Sequence, residues 1–165
     1  MEAESNTVNC SQCGKEHDID QMEVSFGMPD DFFELSEEER KSRGKITSDF
    51  CQLDKRYFVR SIIPIPVLDR SINYCWGVWV ELSKEDFTTT YDTWDDEDVS
   101  QIPRLKGNLA NVLSEYKNLT SVKGELELRS DSRPLFFASE KSKLFSDQNN
   151  GITVDDTARY YHYIA

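Results

Sequence analysis

The stretch NYCWGVWVEL, residues 73–82, decides the fold of this chain. Successive side chains of a strand point to opposite faces, so its ten residues divide into two sets. One face carries Tyr74, Trp76, Val78, Val80 and Leu82, and the other carries Cys75, Gly77, Trp79 and Glu81. Both sets contain large apolar groups, which predicts a central strand that is covered on both sides.

Other strands are predicted around this one, because further runs are rich in β-branched and aromatic residues or, at 121–130, alternate apolar and charged residues. These runs are 22–27, 46–53, 56–67, 121–130 and 133–139. Pro64 and Pro66 cannot donate a backbone hydrogen bond, so the run at 56–67 is predicted to end there or to lie at a sheet edge.

Helices are predicted where capping residues precede a polar or amphipathic run. Ser36 and Glu39 have the spacing of a capping box, which predicts a helix over 37–43 after a turn at 30–34. Ser83 precedes a helix over 84–94, and Thr153 precedes a terminal helix. The segment DQNNG, residues 147–151, is predicted to be a turn. Strand clusters with a few segregated helices make the fold class α+β, with a mainly antiparallel sheet.

The 165 residues are predicted to form one domain, since the chain contains no internal repeat and no linker. Residues 1–9 are polar and without pattern, so they are predicted to be a flexible tail before a single domain at 10–165. No apolar run is long enough to span a bilayer, and the first residues lack the apolar core of a signal peptide. A cytoplasmic protein is therefore expected.

The charge balance is strongly acidic. Thirty-one Asp and Glu side chains against nineteen Lys and Arg give a formal net charge of −12. Nucleic-acid binding needs a positive surface, so that class of function is disfavoured. A basic protein partner, attracted by long-range electrostatics, is compatible with this charge.

The segment CSQCGKEH, residues 10–17, is the clearest candidate metal site. Cys10 and Cys13 have the spacing that lets two thiolates bind one zinc ion, and His17 could supply a third ligand. Cys51, near a strand end, is the better candidate for the fourth ligand, whereas Cys75 lies inside a strand. Three interpretations stay open for these residues: one structural zinc, unligated thiols, or a redox pair.

A second candidate site is the acidic loop that follows the helix predicted at 84–94. It consists of Trp94, Asp95, Asp96, Glu97 and Asp98. Its spacing lacks the alternating ligands and the glycine of a calcium loop. The loop is therefore interpreted as a solvated acidic segment and as a candidate contact for a basic partner.

The ordered motifs of the chain resemble the bacterial domain-of-unknown-function family 2199 over about residues 10–153. The resemblance is carried by C-x-x-C-G-x-x-H, TSDFC, YFVRSIIPIPV, WGVWVELS, SRPLFF and QNNGIT. It implies a single compact bacterial domain, and it groups Cys10, Cys13, His17 and Cys51 as one motif set. Residues 141–148, KSKLFSDQ, depart from the family pattern, which has a His-Pro-Leu type segment there.

The sequence contains no recognisable catalytic motif, so no catalytic residue is assigned and an enzyme is not expected. The resulting hypothesis is a non-catalytic acidic interaction module, and specifically an immunity protein that neutralises a basic antibacterial toxin. The alternative hypothesis is a small zinc-containing enzyme or sensor that uses the amino-terminal Cys/His cluster.

Overall fold

The structure is a computed structural model that describes residues 7–9, 15–18, 23–113, 116, 122–139 and 142–164. Its strands are β1 (Thr7–Asn9), β2 (Glu16–Asp18), β3 (Val24–Ser25), β4 (Gly44–Ile46), β5 (Phe50–Leu53), β6 (Arg56–Pro66), β7 (Asn73–Leu82), β8 (Leu105–Leu109), β9 (Lys123–Arg129) and β10 (Ser132–Ala138). Its helices are α1 (Asp30–Phe33), α2 (Glu37–Arg43), α3 (Lys84–Asp92), α4 (Lys143–Asn150) and α5 (Val154–Ile164).

Five strands close into a barrel. Strands β6 to β10 are antiparallel neighbours in chain order, and β10 then pairs in parallel with β6 through Leu135 and Ile62. Strand β3 adds to β7 in parallel, while β5 and β4 extend the sheet beyond β6. The α+β class is confirmed, and the prediction of a mainly antiparallel sheet is only partly right because the sheet is mixed and closed.

The two faces of β7 are buried by different parts of the molecule, as the alternation of its side chains predicts. The barrel interior takes Tyr74, Trp76, Val78 and Val80, each fully buried. The outer face takes Trp79, which is fully buried in a second cluster formed by Phe32, Cys51, Leu53 and Phe58. This strand therefore joins the barrel core to the outer layer built by α1.

The prolines of β6 do not end the strand, which pairs with β7 as far as Pro66. The carbonyl oxygens of Pro64 and Pro66 accept hydrogen bonds from Gln148 Nε2 (3.3 Å) and from the Ile152 amide (2.9 Å). In a strand the backbone nitrogen and the carbonyl of one residue point to the same side. The backbone nitrogens of Pro64 and Pro66 therefore point away from β7, as their carbonyls do. The prolines remove no bond of the β6–β7 ladder, as expected at an edge.

The predicted helix starts are confirmed. Ser36 and Glu39 form both bonds of the capping box of α2, and Ser83 Oγ accepts from the Asp86 amide at the start of α3. At the start of α5, Thr153 Oγ1 accepts from the Asp156 amide at 3.1 Å. In the part of the chain described, every helix is too short or too polar to cross a membrane.

Four local predictions differ from the structure. The turn predicted at 30–34 contains the short helix α1, and the run predicted as a strand at 46–53 is divided between β4 and β5. Residues 147–150 lie in α4 rather than in a turn, and only Gly151 has the positive φ (84°) that ends the helix. Thr7–Asn9, assigned to the tail, form β1 and pair with β2. The buried Val8 explains this pairing, because its side chain packs against the barrel core.

Candidate partner-binding site

Helix α3 builds an aromatic cluster at one end of the barrel. Phe87, Tyr91 and Trp94 recur on one side of the helix and meet Phe50 of β5 edge-on, with ring centroids 5.6, 5.1 and 4.7 Å away. Phe50 and Trp94 are partly buried against the core, whereas Tyr91 is 61% exposed. The cluster is thus anchored on one side and open to solvent on the other.

The acidic loop begins directly after this cluster. Asp95, Asp96, Glu97 and Asp98 are all exposed. Val99 is only 7% exposed, and it fixes the far end of the acidic run against the protein. Hydrogen bonds from the side chain and backbone of Ser100 lower the pKa of Asp98. This carboxylate therefore stays ionised at a lower pH than an ordinary aspartate does. The run is therefore presented as a fixed group of negative charges.

A hollow of about 320 Å³ lies beside the loop, and we call it the acidic hollow. It is lined by Asp49, Trp94, Asp95, Asp131, Ser132 and Arg133. Arg133 Nε lies 2.8 Å from Asp49 Oδ1, so one of the three carboxylates is paired. Asp95 and Asp131 form no ion pair with any residue that the structure describes. Such a hollow, with an indole beside unpaired carboxylates, suits a cationic side chain.

The structure brings together two of the five partner-site residues predicted from sequence, Trp94 and Asp95, in the acidic hollow. Asp96, Glu97 and Asp98 lie in the same loop and extend its negative surface. Sequence reasoning missed Asp49, Asp131 and Arg133, which come from the β4–β5 turn and the β9–β10 hairpin. Of these three, Asp131 is the one that the sequence places in a turn, between two predicted strands. In the structure its φ is 61°, as expected for such a turn.

The predicted metal ligands are only partly within the described residues. Cys10 and Cys13 lie outside them, and His17 lies in β2 opposite Val8. Among the residues that are described, no three His, Cys, Asp or Glu side chains are grouped so that they could hold a metal ion. The zinc set Cys10, Cys13, His17 and Cys51 therefore stays a prediction, as does the zinc enzyme or sensor that depends on it.

Cys51 has the environment of a core thiol. It is 1% exposed among Phe32, Phe58 and Trp79, and burial raises its pKa to about 12. Zinc binds the thiolate form and lowers the pKa of the thiol that it binds, so this raised pKa describes the metal-free thiol. In addition, Cys51 lies in the outer cluster, whereas Val8 of the strand pair that carries His17 packs in the barrel core.

A second aromatic cluster, which the sequence did not reveal, lies inside the protein. Tyr74, Trp76, Tyr116 and Tyr160 meet with ring centroids 5.8–6.3 Å apart, and each is at most 4% exposed. Asp147 of α4 accepts hydrogen bonds from the hydroxyls of both Tyr116 and Tyr160. Burial, reinforced by Asp147, raises the pKa of both tyrosines. The indole N–H of Trp76 is buried and finds no acceptor among the described residues.

Comparison with known proteins gives one match. A family model described as "Uncharacterized protein conserved in bacteria (DUF2199)" matches residues 9–152. No curated protein and no solved structure matches the chain.

Proposed function

The chain belongs to this bacterial family, DUF2199, and on that premise we propose that it is an acidic interaction module that binds a basic protein. The specific form of the proposal is an immunity protein that neutralises a basic antibacterial toxin. One observation carries it: an anchored aromatic cluster opens to solvent directly beside a run of four exposed carboxylates and the acidic hollow.

The chemistry of this surface supports recognition by contact. Interfaces depend on a few aromatic anchors surrounded by a polar rim, and Tyr91 and Trp94 provide such anchors. The carboxylates of Asp95, Asp96 and Glu97 are unpaired within the described part of the chain. Neighbouring like charges repel each other, so a cationic partner would relieve this repulsion and would be steered to the site from a distance.

The acidic hollow supplies a place for one cationic side chain of the partner. A Lys or Arg in it would lie beside the Trp94 ring and could reach Asp95 and Asp131. A cation on an indole ring contributes about 0.5–1 kcal/mol at an exposed site, and more when water is excluded. Binding is expected to weaken as ionic strength rises, because exposed charges are screened over about 8 Å at physiological salt.

The first test is isolation of the complex from a host that makes both proteins. Native mass spectrometry is expected to show a one-to-one complex with a basic protein that stops bacterial growth when it is expressed alone. Co-expression of the acidic chain is expected to restore growth. Reversing the loop charges (Asp95→Lys with Asp96→Lys) should abolish both the complex and the rescue.

The matched control is Glu37→Lys with Glu38→Lys, which reverses two exposed charges on α2, outside the proposed surface. This variant should keep the complex and the rescue. Equal loss in both variants would show that net charge alone matters, and it would refute the proposed surface. Binding of a toxin with rescue unaffected by the loop variant would refute it as well.

A further inference from the structure

The outer face of β7 is covered at two positions and open at a third. Trp79 is fully buried in the outer cluster. Gly77 lies under β3, so closely that a Cβ atom there would be 2.5 Å from Ser25 Oγ. Cys75, the next outward position, is only half-buried. The part of this face that the described residues leave uncovered forms a groove.

This groove has a volume of about 390 Å³, within the range of small-molecule sites. Its walls are mainly apolar and come from three strands: Ile62, Pro64 and Pro66 of β6, Cys75 of β7, and Leu135 and Phe137 of β10. The β6 wall runs from Ile62 to Pro66, or about 13 Å at ~3.3 Å per residue. An extended alkyl chain fits such a wall.

Three polar side chains line the groove, namely the exposed Asn73, Gln148 and the cation Arg129. Gln148 is fully engaged, because its Oε1 accepts from the Ala138 amide and its Nε2 donates to the Phe136 carbonyl. Arg129 donates from Nε (2.9 Å) and Nη2 (2.7 Å) to the carbonyl oxygen of Arg133, which fixes its guanidinium plane. Its Nη1 has no acceptor among the described residues, and no described carboxylate pairs with it.

An oriented guanidinium next to apolar walls favours a carboxylate ligand, because the delocalised cation donates in a plane that matches a carboxylate. We propose that this groove binds a small amphipathic monocarboxylate, with its carboxylate on Arg129 and its alkyl chain along Ile62–Pro66 between β6 and β10. No residue lines both the groove and the acidic hollow, but the two are connected, because Arg129 bonds the carbonyl oxygen of Arg133, which lines the hollow. The carboxylate ligand is inferred from Arg129 and the apolar walls, and it does not rest on the proposed toxin binding.

Cys75 provides a reporter inside the groove. The thiols of the whole protein are alkylated with iodoacetamide, and peptide mass mapping follows each cysteine separately. Decanoate below its micelle concentration is expected to slow the alkylation of Cys75 several-fold, whereas decylamine, with the same chain and the opposite charge, should not. Cys51 should stay unreactive throughout, because it is 1% exposed; its labelling would reveal unfolding by the ligand.

Two variants test the role of the cation. Arg129→Gln should raise the decanoate concentration that gives half-protection about tenfold, through loss of a hydrogen bond to a charged group. Arg129→Lys keeps the charge. Its decanoate concentration for half-protection should lie between those of Arg129→Gln and the unmodified protein. The control is Lys106→Gln, an exposed cation of β8 that does not line this groove, and it should change nothing.

Three results would each overturn the proposal. Equal protection by decanoate and decylamine would show chain binding without carboxylate recognition. Unchanged protection in Arg129→Gln would remove Arg129 from the site. Failure of Cys75 to react in the ligand-free protein would mean that the groove is closed.

Discussion

Two aromatic clusters of this protein differ in how they contact the carboxylates beside them. The inner cluster of Tyr74, Trp76, Tyr116 and Tyr160 contacts one half-buried carboxylate, Asp147, which accepts hydrogen bonds from two of its hydroxyls. The exposed cluster of Phe50, Phe87, Tyr91 and Trp94 lies beside Asp95, Asp96 and Glu97, which are exposed and form no ion pair with any described residue. Aromatic rings contribute most to stability when they are fully enclosed, and they can serve recognition only when part of their surface stays open. We therefore expect the first cluster to contribute mainly to stability, and we propose that the second contributes to binding.

The largest expected effect on stability comes from replacing one tryptophan in each cluster. Trp76→Ala should lower the free energy of unfolding by about 4 kcal/mol, because it removes a fully buried indole and leaves a cavity. Trp94→Ala, in the half-buried cluster, should cost about 1–2 kcal/mol. Urea unfolding followed by circular dichroism measures both. Equal losses would contradict the division of roles.

The next effect concerns the carboxylate of Asp147. Asp147→Ala should cost about 2–3 kcal/mol, because it leaves two buried tyrosine hydroxyls without their acceptor. Asp155→Ala, an exposed residue of α5, is the matched control and should stay within about 0.5 kcal/mol. If thermal and urea unfolding give the same stability for both variants, the Asp147 bonds contribute nothing.

A pH titration sharpens the comparison further. Tyr116 and Tyr160 have raised pKa values in the folded protein, so they stay neutral while the unfolded chain begins to ionise near pH 10. Their contribution is complete below pH 10 and falls as the pH rises above it, by up to ~1.4 kcal/mol per pH unit for each tyrosine. Urea midpoints between pH 9 and 11 measure the slope.

Tyrosine variants show which cluster produces that slope. Tyr116→Phe should make it shallower, whereas Tyr91→Phe, in the exposed position, should leave it unchanged. A slope that responds equally to both would place the alkaline effect outside the inner cluster.

The smallest expected effect on stability lies in the acidic loop. Asp95→Lys with Asp96→Lys should change the free energy of unfolding by less than about 0.5 kcal/mol, since both side chains are exposed and form no ion pair with a described residue. The same variant should lose the toxin complex. A large loss of stability instead would mean that the loop carboxylates hold the fold, and the binding result could then not be assigned to contact.

Local patterns predicted β7, the caps of α2 and α3, and the loop with Trp94, because each depends on residues close together in sequence. Barrel closure could not be predicted, since the parallel pairing of Ile62 with Leu135 has no local periodicity. Helix α4 was missed because its polar residues point inward. Leu144 and Phe145 of this helix pack on the core. Asp147 also bonds the two tyrosines and Gln148 bonds the β6 and β10 backbones, so polar side chains share the inward side and the apolar pattern is short.

The candidate site divides in the same way. The sequence located Trp94 and the four acids, which are contiguous, but it did not predict the acidic hollow, which needs Asp49 and Asp131 from distant turns. The zinc hypothesis rests on the spacing of Cys10, Cys13 and His17 and stays a prediction. The position of Cys51 in an apolar cluster could not be inferred from spacing.

The pairing of β6 with β10 has a consequence for synthesis on the ribosome. Strand β6 emerges long before β10 and α4, and until then its edge beyond the β5 pairing carries unpaired backbone groups. Exposed edges of this kind invite pairing with other chains, and late, long-range contacts slow folding. Pro64 and Pro66 have no amide hydrogen on that edge of β6. They therefore reduce pairing with other chains until α4 has been synthesised and Gln148 bonds the edge.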